Sequence, residues 1–206
     1  MYKVPYFSDG NEADIHAFIR EHNFVILSGA GAEGSVATQV PVLVSGEDGE
    51  LVLEGHIMKN TDHHKAFAQD PRTLVIFTGP HRYVSASWYK DPRVASTWNY
   101  MTVQARGVME LLDEQDSRNL LEKLTDFYEP SQSPASFKEL SQEYVDRMVK
   151  AIIGFRIRVE SLEHVFKLSQ NRDTASRNNI IEQLRSQDNQ DARKIADEME
   201  KRLKDV

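Results

Sequence analysis

The chain of 206 residues contains no cysteine. That excludes disulfides, iron–sulfur clusters and thiolate chemistry. No run approaches the roughly 18 apolar residues of a membrane-spanning helix, and the opening MYKVPYFSDG lacks the apolar stretch of a signal peptide. The expectation is a soluble, cytoplasmic protein. Basic charge is not in excess either: 25 Lys and Arg stand against 32 Asp and Glu, a formal net charge of -7. Broad non-specific contact with nucleic acid needs a basic face to neutralise phosphates, so direct DNA binding is disfavoured. Several chemical signatures are missing as well. Gly29 to Gly34 (GAGAEG) is glycine-rich but lacks a Gly-Lys-Ser/Thr ending and a following helical pattern, so it reads as a hairpin turn rather than a phosphate loop. There is no Gly-x-Ser-x-Gly elbow. His56, His63, His64 and His81 fit no zinc spacing, and no metal site is expected.

What is present is concentrated in Leu74 to Val103. This stretch holds both tryptophans and three of the seven tyrosines, mixed with Ser85, Ser87, Thr97 and Asn99. Two β-patterned runs flank the polar connection Lys90 to Ser96. Hydroxyls, an amide and large rings at strand ends suit a flat, polar-edged ligand. The alternative is two aromatic core strands whose polar atoms are satisfied internally.

Elsewhere, Asn11 to His22 reads as a helix capped by Asn11. Strands are expected over 24–28, 35–44, 51–58, 74–77, 82–87, 98–112 and 151–165. Glu47 to Glu50 is a turn signal, Gly79-Pro80 reads as a break, and Gly107 as a bulge or close backbone approach. Helices are expected over 62–69, 114–127, 137–149, 175–187 and 192–203. Strands with long helical interruptions, and no regular βαβ alternation, predict an α+β, mainly β fold: an antiparallel barrel with helices outside.

Cations and amides also gather at strand ends, at Lys59-Asn60 and at Lys167 with Gln170, Asn171 and Arg172. They suit an anion such as a phosphate, or are solvated strand termini. In order and spacing, GHIMKN (55–60), GPHRYVSASWY (79–89), STWNY (96–100) and KLSQNR (167–172) resemble the signature segments of the PaiB family, FMN-binding-type proteins described as negative transcriptional regulators. MYKVPYF and ATQVPVLV (37–44) resemble its opening. Where that family usually carries an arginine in the run after Gly-His, this chain has Lys59.

The resemblance implies a split β-barrel of the pyridoxamine-phosphate-oxidase type over residues 1–187, with 188–206 as a C-terminal helical extension. It also implies a homodimer with FMN in a groove between subunits. It makes His56, Lys59, Asn60, Ser85, Ser87, Trp88, Tyr89, Thr97, Trp98, Asn99, Lys167, Gln170 and Asn171 candidate cofactor contacts. Lys59 would face the phosphate, helped by Asn60, Ser85, Ser87 and Thr97. Trp88, Tyr89 and Trp98 would flank the ring or wall the groove. Asn99 and Gln170 would address the ring edge, and Lys167 the reduced flavin's N1 region or the phosphate. Three roles follow: a dimeric flavin-binding or sensing regulator, an FMN-dependent oxidoreductase, or a haem-binding relative of the same barrel.

Overall fold

The computed structural model describes residues 1, 4–8, 10–46 and 50–203. The turn expected at Glu47 to Glu50 lies largely outside the described residues. In chain order the elements are α1 (Glu12–Glu21), β1 (Phe24–Gly31), β2 (Gly34–Pro41), β3 (Leu43–Ser45), β4 (Val52–Met58), α2 (Asp62–Gln69) and β5 (Arg72–Val84). They continue with β6 (Thr97–Leu111), α3 (Glu114–Tyr128), α4 (Gln142–Ala151), β7 (Ile152–Lys167), α5 (Thr174–Arg185) and α6 (Gln190–Lys201). Seven strands form one sheet in the order β2-β1-β5-β6-β7-β4-β3. The β1–β2, β1–β5, β3–β4 and β4–β7 ladders are antiparallel. The α+β, mainly β expectation therefore holds.

Short polar side chains start the helices. Asn11 Oδ1 accepts the Asp14 N–H at 2.8 Å, and Thr61, Asp113, Ser141, Asp173 and Asn189 cap α2, α3, α4, α5 and α6 in the same way. Each satisfies an N–H that the first turn leaves without an intrahelical partner.

The chain divides into two compact units. Unit 1 comprises Met1–Phe18, Thr78–Val103 and Glu163–Val206; unit 2 comprises Ile19–Phe77 and Gln104–Leu162. In unit 2, Val25, Leu27, Leu53, Phe67, Val75, Phe77, Phe155 and Ile157 are buried. At Gly107 a Cβ would fall 2.1 Å from the Arg158 carbonyl oxygen, so the close approach read from sequence is real and only glycine fits. The buried Glu54 accepts from Nε and Nη2 of Arg156 at 3.0 and 2.9 Å.

In unit 1, Val165, Phe166, Leu168, Ile180, Leu184, Ile195 and Met199 are buried. Arg185 forks between Asp197 and Glu200 at 2.9 and 2.8 Å, pinning α5 to α6. The residues expected as an extension thus include α6, whose Ala192, Ile195, Ala196 and Met199 are fully buried. Among the described residues no helix is long and apolar enough to cross a membrane.

Three local expectations change. β5 runs unbroken through Gly79-Pro80. Pro80 lies beyond the ladder with β1, which covers Leu74 to Ile76. Gly79 admits the Phe18 ring, which would lie 2.5 Å from a Cβ. The strand expected to reach Ser87 ends at Val84, and the helix expected over 137–149 is a 3-10 turn at Phe137–Glu139 followed by α4.

Candidate functional site

Three candidate residues belong to unit 2. His56 lies on β4 opposite Gly154 of β7. Its Nδ1 is buried with no hydrogen-bond partner among the described residues, and burial pushes the imidazole below its ordinary pKa. Lys59 follows β4. Its N–H donates to Ala151 O at 2.9 Å, and its half-buried ammonium donates to Val149 O at 3.2 Å. Val149 lies in the last turn of α4, where helix carbonyls lack intrahelical donors and favour a cation. Asn60 has φ 67°, in the left-handed region that asparagine tolerates better than most residues. Its N–H donates to His64 Nδ1 at 3.0 Å, and the Thr61 hydroxyl donates to Met58 O at 2.9 Å, closing the turn into α2.

The other ten belong to unit 1. Ser85 caps a 3-10 turn, Ala86–Trp88. Its Oγ accepts the Ser87 N–H at 3.2 Å and lies 2.8 Å from Ser87 Oγ. The Trp88 carbonyl accepts from Asn179 Nδ2 at 2.8 Å, and Lys90 N–H donates to Ser176 Oγ at 2.9 Å. This turn is thereby fixed onto α5. Tyr89 is buried, with the Arg172 guanidinium 4.3 Å from its ring centroid. Burial raises the phenol's pKa, and Arg172 works against that.

Asn99 is fully buried. Its Oδ1 accepts from Ser169 Oγ at 2.9 Å and its Nδ2 donates to Met199 Sδ of α6 at 3.4 Å. Ser169, at φ 60°, turns the chain after β7. Gln170 folds back on that turn, accepting from Leu168 N–H at 2.7 Å and donating to Phe166 O at 2.5 Å. Asn171 is exposed. These internal partners engage Asn99 and Gln170 in holding the 167–172 segment.

Thr97 and Lys167 differ from the rest. The Lys167 ammonium donates to Thr97 Oγ1 at 2.6 Å and lies 5.9 Å from the Phe7 ring centroid. Among the described residues no carboxylate pairs with it. Burial pushes its pKa below the ordinary value. Beside Thr97, Trp98 is exposed, with Tyr83 in a T-shaped arrangement at 6.0 Å and His81 at 6.1 Å. Tyr83 and His81 are ring neighbours that the sequence reading did not single out for a ligand. The signal was their two-residue spacing on β5, which points both to one face.

The comparisons with known proteins agree with this architecture. The family model described as "Putative FMN-binding domain" matches residues 1–161. The Protease synthase and sporulation protein PAI 2 of Bacillus subtilis (strain 168) is 32% identical over 205 residues, covering 99% of each chain. Among solved structures, a flavocytochrome from Azotobacter vinelandii matches at TM-score 0.62 and 13% identity, over 81% of this chain and 72% of that one. A FAD and haem binding protein from Mycobacterium smegmatis matches at 0.56 and 16%, over 76% and 71%. Both likenesses concern the fold, a split barrel with peripheral helices. On the full-length identity and the matched domain, the chain belongs to the PaiB family of FMN-binding-type proteins.

Proposed function

We propose that this protein binds FMN and works as a homodimeric, cytoplasmic flavin-binding or sensing module of the PaiB type. The observation that carries the reading is Lys167: a half-buried cation held by a hydroxyl and an aromatic ring, with no counter-anion among the described residues. A buried charge without a partner is costly, and an anionic ligand group relieves that cost. FMN offers a dianionic phosphate and, when reduced, negative charge at N1. Thr97 orients the ammonium, and the exposed rings of Trp98, Tyr83 and His81 offer an apolar platform for a flat ligand. Lys59, Asn60 and His56 in unit 2, and Ser85, Ser87, Trp88 and Asn171 in unit 1, remain candidate contacts to be tested singly.

When bound, the flavin supplies the redox chemistry; the chain's part is to hold it and to set charge beside it. No residue pair in the described structure declares a substrate, so a sensing role stands ahead of a dedicated oxidoreductase. Control of transcription, if exerted, is indirect, because the net charge of -7 opposes broad contact with DNA. The test is titration of the purified protein with FMN, followed by flavin absorbance and fluorescence. Saturable quenching with a shifted flavin band is the expected result. An unchanged flavin spectrum, or a Soret band in the protein as purified, overturns the reading.

A further inference from the structure

Unit 2 carries a surface that the flavin reading does not use. α3 ends in two adjacent exposed aromatics, Phe127 (61% exposed) and Tyr128 (53%), stacked edge to face with ring centroids 4.9 Å apart. Tyr128 is held in place by Asn23, whose Nδ2 donates to its hydroxyl at 3.0 Å. The next residue, Phe24, is itself 59% exposed. Isolated exposed apolar residues are ordinary, but a fixed pair of large rings is the composition of a binding hot spot.

The residues on either side of this pair, Asp126 and Glu129, line a cleft of about 330 Å³ together with Glu122, Ser131, Ser136 and Lys138. Three carboxylates against one ammonium leave the cleft net negative. Glu122 and Asp126 form no hydrogen bond or ion pair with the described side chains, and Glu129 accepts only from the Ser133 hydroxyl, at 2.7 Å. Ser136 is 2% exposed and its Oγ has no hydrogen-bond partner among the described residues. A buried hydroxyl without a partner is uncommon, and it leaves a donor and an acceptor for water or for a ligand group entering the cleft.

The carboxylates do not converge on a point: among the described residues no group of three or more His, Asp or Glu is placed to hold a metal ion. At about 330 Å³ the cleft also lies at the small end of ligand pockets, enough for one long side chain. A second copy of this chain is a poor occupant. A symmetric contact would bring two acidic clefts together on subunits that already carry -7 each.

We propose that the Phe127–Tyr128 pair and the adjoining acidic cleft form a docking surface for a protein segment that combines basic and apolar residues. A lysine or arginine enters the cleft between Glu122, Asp126 and Glu129, and an apolar neighbour packs on the Phe127 ring. The charge complementarity selects the partner, and the aromatic pair supplies the area.

The test uses the full chain and a fluorescein-labelled, amidated octapeptide of alternating lysine and leucine, followed by anisotropy at 150 mM salt. Phe127→Ser and the double change Glu122→Gln/Asp126→Asn are each expected to weaken binding about tenfold, the range of an interface hot spot. A charge-matched control, Glu143→Gln/Glu160→Gln, alters two exposed acids outside the cleft and is expected to change it less than about twofold, as rim charges do. Absence of binding by the unaltered chain overturns the proposal. So does an equal loss in the control, which would mark general attraction to an acidic protein. Conversion of a dimer to a monomer by Phe127→Ser also overturns it, because the patch would then be a self-interface.

Discussion

Lys59 and Lys167 are both half-buried lysines at strand ends, and residue type alone gives no ground for treating them differently. Their partners separate them. Lys59, in unit 2, donates to Val149 O in the last turn of α4, so its charge completes a helix end. Lys167, in unit 1, has the Thr97 hydroxyl and the face of Phe7, neither of which neutralises a cation. The difference teaches that a cation is a ligand candidate when its internal partners are weaker than its charge demands. By that measure the stronger candidate is Lys167, although the resemblance to the family gave the phosphate to Lys59.

The largest expected effect tests that ranking. Lys167→Ala should weaken FMN binding by about tenfold or more, the loss of one charge-assisted hydrogen bond worth roughly 1.5–3 kcal/mol, and calorimetric titration measures it. Unchanged affinity would break the comparison at its stronger end. Next comes the turn after Lys59. Asn60→Ala places a Cβ residue without asparagine's tolerance at φ 67° and should cost about 1 kcal/mol, read as a fall in Tm of about 2–4 °C. Asn60→Gly should cost less.

Lys59→Met should be milder still, about 0.3–1 kcal/mol from the lost helix-end interaction, with FMN affinity changed less than about twofold. A tenfold loss of FMN affinity in Lys59→Met would restore the phosphate to Lys59 and overturn the contrast. The smallest effect is in pH. Because burial lowers the Lys167 pKa in the folded state below the ordinary 10.5, the unfolded chain binds more protons between those two values. The destabilisation is therefore full below the folded pKa and is relieved as pH rises to 10.5. FMN affinity should run the other way, falling through the same window, and Lys167→Ala should flatten that profile.

The strands and helices were largely legible because burial imposes period: Ile153, Phe155, Ile157 and Val159 alternate along β7 as a one-sided strand must. Gly107 was legible for a related reason, since a lone glycine inside a strand pattern marks close backbone approach. Gly79-Pro80 misled because punctuation by glycine and proline is a local rule. Whether a strand continues there depends on which neighbour needs the proline's N–H and which ring needs the glycine's space, and neither Leu74–Ile76 pairing nor Phe18 is local. The candidate site was legible as a list of residue types. It was not legible as a ranking, because rank depends on partners supplied by distant segments: Val149 for Lys59, Phe7 and Thr97 for Lys167, and Met199 for Asn99.

The last of these pairings makes the chain its own clock. Met199 is fully buried, with its sulfur facing the Asn99 amide, whereas Met58 is 63% exposed. Peroxide reaches Met58 at once but reaches Met199 only when α6 lifts. In a chain with six methionines and no cysteine to compete for oxidant, the ratio of the two sulfoxide yields, read by peptide mass, measures how often the C-terminal helix opens and uncovers the buried Asn99 amide.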